Sequence, residues 1–300
     1  MQSTYDVLLV GDYYCDLIFT GLPMPPEVGT ECFGTGFACV PGAAYRAALA
    51  LHRLELSVAW PCDVGTDFFS KFVIDAAQRD GLDTRLFQHH DMPLQRVSVA
   101  FSFEHDRGFI SYADQPDRAI PARLIAEHRP RMVLLSSLQY GPVHDELVAA
   151  ARSVGALVYM DCQARAETLD MPEVRAALQQ VDMFAPNAAE AIALTGATTI
   201  DDALDQLAAV TPLAIVKRGA QGATAQAGHE RVSVGALPVR VVDTTGAGDC
   251  FNAGFVYGFL HDYTLEDCLR CGAICGSLST TAHDHSVVPT ASHVEQWRAS

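Results

Sequence analysis

The feature that most restricts the fold is a regular alternation of two types of segment after residue 120. Segments with helical periodicity alternate with short apolar runs typical of buried strands. The helix-type segments are 121–127, 143–154 and 174–180, and the strand-type segments are 132–136, 157–160, 183–185 and 214–216. Because parallel strands need long crossover connections, this order predicts a mainly parallel sheet with helices on both faces, a three-layer α/β/α fold.

Two further groups of strand-type residues have no helix pattern between their strands. One group is 31–40, and the other consists of 97–103 and 108–112, joined by a predicted hairpin turn at 104–107. We expect these strands to form a small β-strand lid over the main sheet, made of about 12–40 and 95–115. The whole chain, 1–300, is expected to fold as a single domain.

The charge balance restricts the partners. Lys and Arg number 20 against 36 Asp and Glu, a formal net charge of −16, so we expect neither nucleic-acid nor membrane partners, since both require a basic surface. No apolar run reaches membrane-spanning length, and 1–14 has no basic region before its short apolar run, so we expect a cytoplasmic protein. The 9 cysteines show no matched Cys-x-x-Cys pairs, which favours reduced thiols over structural metal.

Residues 243–256 (DTTGAGDCFNAGFV) join a strand-type run at 239–242 to the most regular helix pattern of the chain, 247–260. The Gly-Ala-Gly sequence at 246–248 lets the backbone approach a bound group closely. The first turn of a helix has free N–H groups and the positive end of the helix dipole, which together favour an anion such as phosphate. Asp249 falls in that turn and can accept a hydroxyl proton beside the anion. This pattern indicates phosphoryl transfer to an alcohol.

The same residues also fit a purely structural interpretation. Gly-rich turns from strand to helix are common in α/β proteins, and an Asp in the first turn stabilises a helix by about 0.3–1 kcal/mol. Local physical chemistry therefore leaves the two interpretations equal, and the length of the pattern has to decide between them.

The uninterrupted string 243–256 closely resembles the C-terminal signature of the ribokinase, or PfkB, family of carbohydrate and nucleoside kinases. The resemblance extends over nearly the whole chain, to about residue 289, with an altered N-terminal part. It implies a ribokinase-like fold and an ATP-dependent small-molecule kinase that uses Mg²⁺. The sequence has no Walker-type loop, protein-kinase motifs, Gly-x-Ser-x-Gly elbow or dinucleotide fingerprint, which disfavours dehydrogenases and hydrolases.

The resemblance places part of the acceptor site near the first predicted strand, 5–10. Asp12 and Asp16 follow this strand, and Asp16 matches the family carboxylate that receives sugar hydroxyls. Without the resemblance, both acids would be interpreted as exposed loop charges. Gln139 follows another predicted strand, at a position where the family often contacts the substrate.

The predicted helix 41–54 (PGAAYRAALALHRL) departs from the family pattern at two positions. Pro41 stands before Gly42 where the family has two glycines, and Arg46 stands in place of an Asn. By resemblance, Gly42 helps to hold the acceptor, and Arg46 is a further candidate for this role because of its position. A permanent cation at position 46 favours an acidic or phosphorylated sugar, whereas a solvent-facing Arg46 would have no such meaning, and both interpretations stay open.

The nucleotide side is also assigned by resemblance. Asn187 and Glu190 match an Asn-x-x-Glu motif that organises Mg²⁺, water and the triphosphate, although the pair also fits a helix capping box. The segment 217–222 (KRGAQG) resembles a nucleotide-side loop, and plain surface charge is an equal alternative for its basic residues. The predicted ATP-side residues are Asn187, Lys217, Gly219, Gly222 and Ala273.

Three shorter features are less specific. By resemblance, Asp243 and Thr245 help to hold a monovalent cation such as K⁺ near the anion site. The segment 161–165 (DCQAR) resembles an Asp-x-Asn-x-Arg pattern with a Gln in place of the Asn. His283 and His285 have the spacing of a metal pair but lack a third ligand, so we favour an adenine-pocket wall there.

The sequence therefore predicts a sugar kinase in which Asp249 is the general base and the N–H groups of Gly246, Ala247 and Gly248 bind the transferring phosphate. A furanose or ketose sugar is the first choice of acceptor, followed by an acidic keto-sugar such as 2-keto-3-deoxygluconate and then by a nucleoside. A sugar- or nucleotide-binding regulator without turnover is the alternative from another class. Exposed lid strands also favour a homodimer through the lid.

Overall fold

The structure, a computed structural model, describes residues 5–24, 27–102, 107–114, 122–163, 166–282 and 287–298. The predicted features that lie wholly or partly outside these residues include the turn at 104–107, the 161–165 pattern, the pair His283 and His285, and the ends of the strand 97–103 and the helix 121–127. Within the described ranges, no helix is both long enough and apolar enough to cross a membrane.

Helices and strands alternate through most of the described chain. The strands are β1 (Val7–Val10), β2 (Tyr13–Thr20), β3 (Gly36–Ala43), β4 (Val58–Ala59), β5 (Asp63–Val64), β6 (Gln88–His89), β7 (Arg96–Ser102), β8 (Arg107–Ala113), β9 (Met132–Leu135), β10 (Leu157–Asp161), β11 (Met183–Ala185), β12 (Leu213–Lys217), β13 (Ala223–Ala227) and β14 (Glu230–Val234). The helices are α1 (Ala44–Arg53), α2 (Phe68–Arg79), α3 (Arg123–His128), α4 (Pro142–Val154), α5 (Pro172–Gln180), α6 (Ala188–Thr195), α7 (Ile200–Ala208), α8 (Ala247–Leu260), α9 (Leu265–Ser279) and α10 (Ala291–Arg298).

The main sheet has the strand order β14-β13-β12-β11-β10-β9-β1-β4, and its strands from β12 to β4 pair in parallel. The hairpin of β13 and β14 adds an antiparallel edge that the sequence pattern did not predict. Since parallel strands all end at the same edge of a sheet, residues that follow β1, β10, β11 and β12 meet there. Ligands bind at this edge in open α/β sheets.

The hydrophobic core lies on both faces of this sheet. Successive side chains of a strand point to opposite faces, so Val7 and Leu9 pack on one face while Leu8 and Val10 pack on the other. The first face is covered by α1, α2, α8, α9 and α10, and the second by α3, α4, α5, α6 and α7. The predicted three-layer α/β/α arrangement is confirmed.

A separate sheet of order β3-β2-β7-β8 is the predicted small β-strand lid. β2 and β7 pair in parallel, and the two outer pairs are antiparallel. The predicted strand at 31–40 is partly wrong, because 31–35 is irregular and β3 starts at Gly36. β3 continues through Pro41 and Gly42, which were expected to open the helix, because these residues pair with β2 and α1 begins only at Ala44.

The predicted strand-type run before α8 is wrong. Residues 239–242 are irregular, and Val241 and Val242 are exposed. A strand needs a neighbouring strand, whereas here the amides of Val242 and Asp243 both donate to the Thr280 carbonyl at the end of α9, with N···O distances of 2.7 and 3.1 Å. The helix that follows, α8, has the predicted bounds.

Candidate active site

The start of α8 has the features of an anion site. Gly246 is the N-terminal cap with a φ of +75°, a left-handed conformation that glycine adopts readily. The amide of Ala247 donates to the Thr244 carbonyl at 3.3 Å, whereas no bond to a backbone carbonyl is seen for the amides of Gly248 and Asp249 in the described residues. Free N–H groups and the positive end of the helix dipole together favour a bound anion.

Asp249 lies in the first turn of α8, where it was predicted to act as a base. Part of its surface is accessible, yet protein atoms surround it closely, and this burial raises its pKa from 3.8 to about 7. The Asp161 carboxylate raises this pKa further, while Lys217 and Arg46 lower it. A carboxyl group with a pKa near 7 can take a proton from a bound hydroxyl at neutral pH and release it again.

Asp16 is the second carboxylate of the site, and it is 8 % exposed on β2. β2 pairs with β3 so that Tyr14 lies opposite Gly42, and a side chain at Gly42 would overlap the Asp16 carboxylate. Burial raises the pKa of Asp16 to about 6, while the charge of Arg46 lowers it and that of Asp243 raises it. The interpretation of Asp16 as an exposed loop charge is therefore wrong.

Arg46 reaches from α1 to the start of α8. It is 5 % exposed, and its Nη1 donates to the Thr245 carbonyl at 2.5 Å. The side chain lies so close to Gly246 that a Cβ there would overlap it. The solvent-facing interpretation of Arg46 is therefore wrong. Because its charge acts on both Asp16 and Asp249, three residues from separate parts of the sequence belong to one cluster.

A buried polar network supports α8 from the neighbouring strands. Lys217 Nζ lies 2.7 Å from Asp161 Oδ1 and 3.3 Å from Asn252 Oδ1. The side-chain amide of Asn252 donates to Asp161 Oδ2 at 2.7 Å, and the Tyr159 hydroxyl donates to Asn252 Oδ1 at 2.8 Å. Lys217, whose side chain is 11 % exposed, is thus a partner of Asp161 beside Gly248 rather than a surface charge.

Asn252 and Tyr159 were not identified as site residues from the sequence. Both lie within apolar segments that look like ordinary core, and their polar partners become adjacent only when α8 packs on the sheet. An Asn at a buried helical position was the one available signal, because a buried amide needs hydrogen-bond partners.

Asn187 and Glu190 form a capping box at the start of α6. The backbone amide of Glu190 donates to Asn187 Oδ1 at 3.0 Å, and the backbone amide of Asn187 donates to Glu190 Oε2 at 2.7 Å. Burial raises the pKa of Glu190, and the charges of Asp161 and Lys217 also act on it, so the pair lies at the same end of the sheet. In the described part of the chain, no group of three or more His, Cys, Asp or Glu side chains could hold a metal ion.

Asp12 forms an ion pair with an arginine of β7. Its Oδ1 lies 3.2 Å from Nη2 of Arg96, a fully buried residue whose Nη1 donates to the Asp63 carbonyl at 2.9 Å. Burial raises the pKa of Asp12 and the Arg96 charge lowers it. Arg96 was not singled out from the sequence, because an Arg at the start of a strand is not distinctive until its partner is known.

The remaining predicted residues differ in how closely their surroundings fit the predicted roles. Asp243 Oδ1 accepts from the amide and hydroxyl of Thr245 at 2.9 and 2.8 Å. The backbone amide of Gln139, which follows β9, donates to Met160 Sδ at 3.4 Å. Gly219 is the first residue of a 3₁₀ turn after β12, and Gly222 follows its last residue. Ala273 is buried in the core with α8, so its predicted contact with ATP has no direct support in its surroundings.

The chain is similar to known proteins over most of its length. The sequence matches the pfkB family of carbohydrate kinases over residues 40–291. It is 26 % identical to the ribokinase of Bacillus subtilis, over 97 % of this chain and 98 % of that protein. It is also 26 % identical to the 2-dehydro-3-deoxygluconokinase of Bacillus subtilis, over 85 % of this chain and 83 % of that protein.

Among solved structures, a putative ribokinase II from E. coli in complex with ATP and Mg²⁺ is similar with a TM-score of 0.79 and 24 % identity, over 98 % of both chains. This similarity concerns the fold, including the large, mainly parallel sheet with its covering helices. The family match covers most of the sequence and includes α8 with Asp249. The protein belongs to the pfkB family of carbohydrate kinases.

Proposed function

We propose that this protein is an ATP-dependent kinase that phosphorylates a hydroxyl group of a sugar or a sugar-like molecule. The observation that carries the proposal is the position of Asp249, a carboxyl group with a pKa of about 7 in the first turn of α8, next to the backbone amide of Gly248. A proton acceptor beside an anion-binding helix terminus suits phosphoryl transfer to an alcohol.

In this reaction Asp249 would accept the proton of the acceptor hydroxyl. The amide of Gly248 and the dipole of α8 would neutralise charge on the transferring phosphate, which is where such donors lower a barrier most. Asp16 would accept hydrogen bonds from two other hydroxyls of the acceptor, and the missing side chain of Gly42 leaves room for its carboxylate.

Asn187 and Glu190 would face the nucleotide. Their amide and carboxylate oxygens are suitable for Mg²⁺ held through water, and both already take part in the capping box. When bound, Mg²⁺ neutralises charge on the phosphates of ATP. A monovalent cation near Asp243 and Thr245 would share the Thr245 carbonyl with Arg46, whose positive charge would oppose it.

The relatives guide the choice of acceptors. A ribokinase and a 2-dehydro-3-deoxygluconokinase are both similar to this chain, and their names support testing a pentose and an acidic keto-sugar first. Nucleosides are the third group, because the resemblance includes nucleoside kinases. A cytoplasmic location is part of the same proposal.

The test is a measurement of ADP release from ATP and Mg²⁺ over neutral sugars, sugar acids, sugar phosphates and nucleosides. We expect turnover with at least one acceptor, and a loss of about 10²–10⁴-fold in Asp249→Asn, the range that general-base catalysis contributes. Asp201→Asn, which alters a first-turn aspartate of α7 instead, should keep full activity. If ATP binds but no acceptor gives turnover above the Asp249 variant, the protein is a binding regulator and the proposal fails.

A further inference from the structure

A buried guanidinium group with unused donors lies at the start of α8. Arg46 is 5 % exposed, and its Nε and Nη2 meet no hydrogen-bond partner among the described residues. Its Nη1 is engaged by the Thr245 carbonyl. Nε and Nη2 form one edge of the planar group, and this edge binds two oxygens of a carboxylate or phosphate side by side.

The surroundings of this edge favour a bound anion. Burying a charged donor without a partner is strongly unfavourable, so such a group normally has a ligand. The charge of Arg46 lowers the pKa of both Asp16 and Asp249. Neither carboxylate forms an ion pair with Arg46 within 4.0 Å in the described chain. Both nitrogens of the edge are buried and lack an acceptor among the described residues, so an anion bound at the start of α8 would satisfy them.

We propose that Arg46 is a catalytic residue that binds the transferring phosphoryl group through its Nε–Nη2 edge. The inference rests on the proposed kinase function and goes beyond it, because Arg46 was expected only to contact the acceptor. The side chain lies against Gly246 and is bonded to Thr245, so its charge sits at the helix terminus that binds the anion. Arg46 and the backbone amide of Gly248 then neutralise the same phosphoryl oxygens.

Phosphoryl transfer exchanges one P–O bond of the γ-phosphorus for another. The acceptor oxygen forms a bond to the γ-phosphorus of ATP while the bond from that phosphorus to the β,γ-bridging oxygen breaks, and the electron pair of the broken bond leaves with ADP. The hydroxyl proton passes to Asp249. Arg46 remains protonated throughout, since a guanidinium does not lose its proton in proteins, and it only counters the negative charge of the phosphoryl oxygens.

The experiment compares Arg46→Gln and Arg46→Lys with the wild type, using one neutral and one acidic acceptor. We expect Arg46→Gln to lower kcat by about 10²–10³-fold with every acceptor, the loss typical of one charge-stabilising donor, with little change in either KM. Arg46→Lys should keep part of the rate, because an ammonium supplies the charge without the two-pronged geometry.

A binding measurement provides a readout besides activity. Calorimetry would compare the affinity for ADP and Mg²⁺ alone with the affinity after addition of aluminium fluoride, which imitates a transferring phosphoryl group. The wild type should gain affinity from aluminium fluoride, whereas Arg46→Gln should lose that gain and keep its affinity for ADP. Arg152→Gln, which removes a surface arginine of α4, is the charge-matched control and should behave as the wild type.

The outcomes separate the possible roles. A loss restricted to acidic acceptors and seen mainly in KM would place the edge on the acceptor's own anionic group and overturn the inference. Unchanged kcat and unchanged aluminium fluoride affinity in Arg46→Gln would also overturn it. If Arg46→Gln does not fold, judged by circular dichroism, Arg46→Lys decides in the same two measurements. A wild type without turnover on any acceptor would instead refute the proposed function.

Discussion

Charges of both signs surround Asp249, and their balance sets its chemistry at the scale of single residues. The Asp161 carboxylate raises the pKa of Asp249, while Lys217 and Arg46 lower it. Lys217 is also bonded to Asp161, so the two neighbours oppose each other's effect on the base. A change at either one should therefore move the pKa of Asp249 in a known direction.

The first prediction concerns the pH dependence of activity. Because Asp249 must be ionised to accept a proton, kcat/KM should fall as the pH drops below about 7. Lys217→Met should move this fall to higher pH, and Asp161→Asn should move it to lower pH. Rate profiles from pH 5 to 9 measure both shifts, and shifts in the same direction would contradict the assignment.

The same substitutions have a stability consequence. Lys217→Met leaves the buried Asp161 carboxylate without its cation, which typically costs about 3–5 kcal/mol. The double variant with Asp161→Asn should recover part of this loss. Denaturant unfolding of the two single variants and the double variant gives the coupling energy.

The second prediction concerns the stability of Asp249→Asn. The pKa of Asp249 is about 7 in the folded protein against 3.8 for the free group, so between these values the folded state binds a proton that the unfolded chain releases. Its contribution to the free energy of unfolding therefore falls as the pH rises through this window. Asn cannot ionise, so the variant should unfold a few degrees above the wild type at pH 8, at about 2–4 °C per kcal/mol.

Calorimetric Tm values at pH 8 and near pH 4 check this sign. The difference between variant and wild type should shrink towards pH 4, where both side chains are uncharged in the folded protein. Asp201→Asn on α7 serves as the control and should show no such pH-dependent gain. An equal Tm for Asp249→Asn and wild type at pH 8 would refute the raised pKa.

At the scale of elements, the pairing of β2 with β3 holds the acceptor side together. The third prediction is that Gly42→Ala raises KM for the acceptor by about tenfold or more, because the new Cβ would displace the Asp16 carboxylate, while KM for ATP stays unchanged. Gly235→Ala is the matched control, since open space surrounds a Cβ there. Equal acceptor KM values for both variants would show that Asp16 does not bind the acceptor.

The elements that could be predicted are those whose signal is local. β11 and α8 were predicted with their observed bounds, because a fully buried run and a regular helical pattern need no knowledge of the partner. The hairpin of β13 and β14 was missed, because β13 consists of Ala, Thr and Gln without a branched apolar side chain, and β14 has only two valines among polar residues. The run at 239–242 looked like a strand, but no strand lies beside it.

At the scale of the whole molecule, the same distinction applies to the site. Residues at strand ends and helix starts were identified because the edge of a parallel sheet and the start of a helix are known from local pattern. The hydrogen bond of Arg46 to Thr245 joins residues that are 199 positions apart in the sequence. The network around Asn252 joins three elements. Such contacts depend on how distant elements pack together, and this packing cannot be predicted from a local sequence pattern.

The fourth prediction is that two copies of the chain form a homodimer through their lids. Its edge strands β3 and β8 carry exposed apolar side chains, with Phe37 60 % and Ile110 66 % exposed, and Phe37 lies 5.1 Å from the Phe19 ring, centroid to centroid. Unpaired strand edges with apolar side chains favour pairing with a second chain. Sedimentation at micromolar concentration should give twice the chain mass of 32.3 kDa for the wild type and the single mass for Phe37→Asp. Phe68→Asp, which changes an exposed phenylalanine of α2, should remain a dimer, and a monomeric wild type would refute the prediction.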